Sequence, residues 1–177
     1  MYNDTRSLRF ELSMPLLSES LVRLETLIRD ARLVEAGDLH AVFIVPVYED
    51  GLTSKQAEDM ASRWFSRFVE ANRYRFDGPF KAPVEDQLGI VVGPRLTYIE
   101  HVLLLIHAYL VWDGEELPGE VVFASRSAGI VLYPYDDRGV DITGTNRPTL
   151  STLYRTRHDW LLDHNRDEMA LRYGEET

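Results

Sequence analysis

The 177-residue sequence predicts an α+β fold, a single layered domain with a mainly antiparallel sheet packed against helices. Three observations carry that expectation. Some segments alternate apolar and polar residues with period two. Others repeat apolar residues at spacings of three and four. The two kinds do not alternate regularly, as a doubly wound parallel sheet requires. No repeat, linker or composition break divides residues 1–177, so one domain is expected.

Residues 8–12, Leu-Arg-Phe-Glu-Leu, alternate strictly and read as a half-buried strand whose partner must come from later in the chain. Ser18 is positioned to cap a helix carrying Leu21, Leu24, Leu27, Ile28 and Ala31, with Gly37 as its stop. Residues 39–47 are rich in Val, Ile and Phe and end in Pro46 and a Glu49-Asp50-Gly51 turn, which predicts a central strand buried on both faces. Thr53 and Gln56 form a capping box ahead of the stripe Ala57, Met60, Ala61, Trp64, Phe65, Phe68 and Val69. Aromatics at helical spacing are core residues far more often than a ligand platform, and the core reading is taken. Asp77-Gly78-Pro79 breaks that helix, and residues 88–92 form a strand closed by Gly93-Pro94.

A second capping box, Thr97 with Glu100, precedes Ile99, Val102, Leu103, Leu104, Ile106, Ala108 and Leu110, a largely buried helix for which a buried strand pair is the alternative. Residues 113–120 are a Gly- and Pro-containing loop bearing Asp113, Glu115, Glu116 and Glu120. Residues 120–124, 129–135 and 140–143 read as an antiparallel meander turning at 125–127 and 136–139. Asn146 as cap and Pro148 in a first turn then open a helical end to the chain through Leu150, Leu153, Tyr154, Trp160, Leu161, Leu162 and Met169.

Composition narrows the function classes. With 29 acidic against 19 basic residues the net charge is −10, which disfavours nucleic acid as a partner. Only Lys55 and Lys81 are lysine, a bias read as genomic composition. The absence of cysteine removes disulfides, thiol nucleophiles and thiolate metal sites. The start has neither a basic segment nor an apolar run, and the longest apolar stretch, 102–112, is too short to cross a bilayer. A cytoplasmic protein without a membrane partner is expected.

The densest polar motif is Tyr135-Asp136-Asp137-Arg138-Gly139-Val140-Asp141. Its carboxylates could take a divalent cation or work as an acid and base, but Asp-Asp-Arg-Gly is equally what a hairpin turn uses, and the spacing of an EF-hand is missing. Farther on, Asp159, Asp163 and Asp167 recur every four residues and His164 stands four before Glu168, which suits a carboxylate metal site or, with fewer assumptions, a solvated helix face. His101 and His107 fall on different faces of one helix, and no zinc motif, dinucleotide fingerprint, phosphate loop or nucleophile elbow is present. Ser125 and Ser127 could act as nucleophiles only with a distant histidine brought alongside. No cofactor, metal or catalytic residue is predicted.

Residues 129–141, the Leu153-Tyr154 pair, Asp159-Trp160-Leu161-Leu162-Asp163 and Arg166 resemble a bacterial domain-of-unknown-function family. In that family a Tyr-Asp-Asp-Arg-Gly-hydrophobic-Asp hairpin is paired with Leu-Tyr, Asp-Trp and Asp-x-x-Arg elements. Residues 8–12 look like the family's opening strand, whereas 51–96 match in pattern more than in motif. The resemblance implies a small cytoplasmic protein without an assigned activity. Some members lie beside bacterial polymorphic or contact-dependent toxins, where a small acidic neighbour is commonly the immunity protein.

Two functions are therefore expected in competition. The first is an immunity-type protein that binds a cognate toxin domain through Asp113, Glu115, Glu116, Glu120, Asp136, Asp137, Arg138 and Asp141. The second is a small hydrolase or ligand-binding domain in which Asp136, Asp137, Arg138 and His158 converge. A homo-oligomeric structural protein would differ from both in needing an exposed apolar patch.

Overall fold

The computed structural model describes residues 7–12, 17–46, 84–85, 88–99, 120–136, 139–163 and 166–174, together with Gln56, Asp59, Val102, Leu103 and Ile106. Its strands are β1 (Leu8–Glu11), β2 (Leu39–Pro46), β3 (Val84–Glu85), β4 (Leu88–Leu96), β5 (Glu120–Ser125), β6 (Ile130–Asp136) and β7 (Gly139–Gly144). They form one seven-stranded sheet in the order β1-β7-β6-β5-β2-β4-β3. Every pairing is antiparallel. Helices with both ends among the described residues are α1 (Leu17–Asp30), α2 (Arg147–Thr156) and α3 (Arg166–Tyr173), which with the sheet make an α+β architecture.

The period-two pattern of the opening strand finds its partner in β7, where Leu8, Arg9 and Phe10 face Ile142, Asp141 and Val140. Alternation puts Leu8, Phe10, Val140, Ile142, Ile130, Leu132, Val121, Phe123, Leu39 and Ala41 in the core. Leu24, Leu27, Ile28 and Ala31 of α1 enter the same core, as do Ile99, Val102 and Ile106. Each fully buried side chain of this size contributes about 1.5–3 kcal/mol relative to exposure. Ile99, Val102, Leu103 and Ile106 are helical, so the helix reading of this segment holds over the buried strand pair. Gln56 and Asp59 are helical too, while Ala57, Met60, Ala61, Trp64, Phe65, Phe68 and Val69 lie outside the described residues.

The structure corrects five local expectations. Ser18 lies inside α1, and the cap position falls outside the described residues. That helix ends at Asp30 instead of continuing toward Gly37, because Arg32 turns to a positive φ of 54° and the Leu33 amide donates back to the Ile28 carbonyl at 3.2 Å. Strand β4 does not close at Gly93-Pro94. It runs through to Leu96 over a bulge in which these two residues oppose Ala41 alone, since His40 faces Arg95 and Val42 faces Val92. A bulge accommodates proline, which has no amide proton for the ladder. Finally, the chain beyond α2 is not one helix. A 3-10 turn at His158–Trp160 is followed by Leu161, which bridges to Phe10 of β1, and the Leu162 amide donates to the Arg9 carbonyl at 2.9 Å. This segment covers the otherwise open edge of the sheet. In β2 burial alternates, with Leu39 and Ala41 buried and His40, Val42 and Ile44 only half-buried, so one face is more enclosed than the other.

The sheet end near residue 129 is closed by backbone contact. Gly129, at φ 64°, accepts the Thr145 amide on its carbonyl at 2.9 Å. A Cβ on Gly144 would stand 2.0 Å from that same oxygen. Asn146 then caps α2 by accepting the Thr149 amide at 3.2 Å, while its side-chain amide donates to the Ala128 carbonyl at 2.9 Å. Gly144→Ala is therefore expected to lower the unfolding free energy by about 1–3 kcal/mol through overpacking alone. Urea denaturation measures it, and a loss within error would show that the β6–β7 end gives way freely.

Candidate functional site

The two sequence features that carried the family resemblance meet in space. Arg9 of the opening strand lies directly across from Asp141 of the hairpin motif, and Asp141 in turn faces Tyr133 of β6. By alternation these three side chains share the sheet face opposite Phe10, Ile142 and Leu132. All three are buried, and Arg9 Nε stands 3.5 Å from Asp141 Oδ2. A buried carboxylate facing a guanidinium has its charge balanced inside the fold, and removing either partner takes a counter-charge from the other. The register places these groups: strict alternation in both strands leaves Arg9 and Asp141 no other side of the sheet to occupy.

A second polar cluster sits where β2 begins. Asp38 precedes that strand, and β5 and β6 meet beside it. One Asp38 oxygen accepts the Ser125 hydroxyl at 2.5 Å. The other accepts both the amide and the hydroxyl of Ser127 at 2.9 Å. The Ser125 oxygen itself accepts the Ala128 amide at 3.0 Å. The Ser125 hydroxyl, aided by the two Ser127 donors, holds the Asp38 carboxyl below its ordinary value against the opposing effect of burial. Ser125 and Ser127, considered from sequence as nucleophiles, are thus donors to a carboxylate that braces a hairpin turn. Sequence reasoning passed over Asp38. The only available signal was a Ser-x-Ser turn, which does not say which distant carboxylate will meet it.

A third cluster joins α1 to the 3-10 turn. The guanidinium carbons of Arg23 and Arg157 stand 5.1 and 4.8 Å from the centroid of the Trp160 ring. Arg157 Nε also donates to Asp30 at 2.7 Å, and Arg23 donates to the Glu11 carbonyl at 3.1 Å. Trp160, one of the family-like residues, therefore fixes the segment that covers β1.

Of the predicted contact residues, Asp113, Glu115, Glu116, Asp137 and Arg138 lie outside the described residues. Glu120 is half-buried at the start of β5, opposite Ile44. Asp136 ends β6 opposite Gly139, the geometry of a hairpin whose connection is Asp137-Arg138. Asp141 is buried against Arg9. His158 packs edge-on against Tyr154 with ring centroids 5.5 Å apart. Asp159 and Asp163 are exposed and do not share a helix face, because the 3-10 turn and Leu161 interrupt the helix on which that reading depended. Among the described residues no group of three or more His, Asp and Glu is placed to hold a metal ion, and no helix is long and apolar enough to cross a membrane.

Fold and clusters together define an α+β domain on a single antiparallel sheet, with its internal polar groups engaged in joining strands and turns. The chain belongs to the family described as a domain of unknown function (DUF3885), whose model matches residues 1–165. No curated protein matches the chain, and no solved structure does.

The Asp38 brace has a pH signature. Its carboxyl is depressed below 3.8 in the folded protein, so the brace stabilises fully above that value and its contribution is lost as pH falls through the lower folded value. The stability difference between the native chain and Asp38→Ala, measured by urea unfolding, should be larger near about pH 6 than near about pH 2.5. A difference that does not shrink in acid would remove the carboxylate from the brace.

Proposed function

We propose that this protein is an immunity-type binding protein, which neutralises a cognate bacterial toxin domain by direct protein-protein contact in the cytoplasm. The observation that supports the reading is its acid excess, a net charge of −10 on 177 residues. Toxin domains that act on nucleic acid present cationic surfaces to hold it, and an acidic protein reaches such a surface quickly under electrostatic attraction. Asp113, Glu115, Glu116 and Glu120, together with Asp136, Asp137 and Arg138, make the contact in this proposal. Asp141, buried against Arg9, holds the hairpin instead of touching the partner.

Tagged full-length protein is used to capture its partner from the source bacterium at low salt. The captured domain is then expressed alone and together with this chain. The proposal expects growth arrest in the first case and growth in the second. Charge reversal at Glu115, Glu116 and Glu120 should slow association of the purified pair by roughly tenfold or more at low salt, with little change at high salt. A partner whose toxicity this chain does not relieve would overturn the immunity reading. An association rate indifferent to the triple reversal would overturn the acidic patch.

A further inference from the structure

A cavity of about 230 Å³ opens between the end of α1 and the segment after β4, lined by Ile28, Arg29, Arg32, Val34, Glu35, Thr97, Tyr98 and Ile99. Its apolar surface comes from half-buried Val34, the exposed Tyr98 ring and the edge of Ile99, with fully buried Ile28 behind them. Tyr98 is 61% exposed, an unusual position for an aromatic ring in a domain with few exposed large apolar side chains among its described residues. Among the described residues, Arg29, Arg32 and Glu35 bring charge to the lining. Arg29 is engaged by Glu25, which accepts Nε and Nη2 at 2.9 and 2.7 Å. Arg32 and Glu35 are exposed and are not joined to each other or to another residue in an ion pair. Arg32 also occupies the left-handed region at φ 54°, where glycine is the residue that costs least. The fold thus keeps a guanidinium beside the cavity at a position whose backbone disfavours it.

From this arrangement we infer that the cavity binds a free hydrophobic α-amino acid. The ligand's carboxylate pairs with Arg32, its ammonium with Glu35, and its side chain rests on Val34 and Ile99 beside the Tyr98 ring. Opposite charges left apart on one rim complement a zwitterion better than they complement a simple anion or cation. The volume lies below the roughly 300–1,000 Å³ of pockets for drug-sized ligands, which suits a single amino acid.

The test is a titration of the full-length protein with L-phenylalanine, followed by amide chemical shifts and calorimetry. The expected result is saturable binding with the largest shifts at residues 32–35 and 97–99. Phenylacetate and phenethylamine, each lacking one of the two charges, should bind at least about tenfold more weakly. Arg32→Gly relieves the backbone and should fold with equal or higher thermal stability, yet lose at least about tenfold in affinity, as should Glu35→Gln. The inference is overturned if neither L-phenylalanine nor L-leucine gives a saturable change up to about 10 mM. Phenylacetate binding as tightly as L-phenylalanine, or unchanged affinity in both variants, would overturn it as well.

Discussion

Opposite charges held face to face inside the sheet, Arg9 on β1 and Asp141 on β7, fix the edge on which the rest of the structure is assembled. The first described strand pairs with the last, so this contact closes a loop from residue 9 to residue 141 of the 177. Such a pairing forms late and at a high entropic cost. It also has to be in register. A slip of one residue would turn Leu8 and Phe10 out of the core and drive Arg9 into it, and a buried ionic pair penalises that slip more sharply than apolar contacts alone. The segment at Leu161 and Leu162 can cover the edge only once β1 is correctly seated, because its hydrogen bond ends on the Arg9 carbonyl. Trp160, held near Arg23 and Arg157, then ties that cover to α1.

The far end of the same strands is secured by a different chemistry. There Asp38 gathers three donors from the β5–β6 turn, and the Gly129 carbonyl lies so close to Gly144 that no side chain fits between them. Asn146 couples this turn to the start of α2. Ionic pairing at one edge and hydrogen bonding at one end account for Asp141, Ser125 and Ser127, three of the described polar residues that looked chemical in the sequence. Acidic groups away from these junctions are the ones available for contact with another molecule, which is why the functional proposal rests on overall charge and not on a catalytic constellation.

The fold class was legible because it depends on periodicity. Leu8 to Leu12 and the meander at 120–143 show period two, and the α1 stripe shows spacings of three and four, whatever they later pack against. The misreadings fall where tertiary demands override local preference. Arg32 takes a conformation that favours glycine, so the end of α1 could not be placed from Gly37. Gly93-Pro94 reads as a stop, yet the β2 ladder absorbs it as a bulge. The helical pattern after Pro148 is broken by the need of β1 for a neighbour on its open side, which no residue near Trp160 announces. Of the candidate site, the Asp136 to Gly139 turn was readable from its composition, whereas the pairing of Asp141 with Arg9 and of Asp38 with Ser125 joins residues far apart in sequence and leaves no local trace.

The most direct measurement is a double-mutant cycle on Arg9→Met and Asp141→Leu, with unfolding free energies from urea denaturation. If the ion pair sets the register, each single substitution costs about 3–5 kcal/mol, because it removes the counter-charge of a buried group. The double variant should then recover a large part of that loss, with a coupling energy above about 1 kcal/mol. Single losses of less than about 0.5 kcal/mol that simply add would contradict the account and return Asp141 to the pool of residues free to act on a partner.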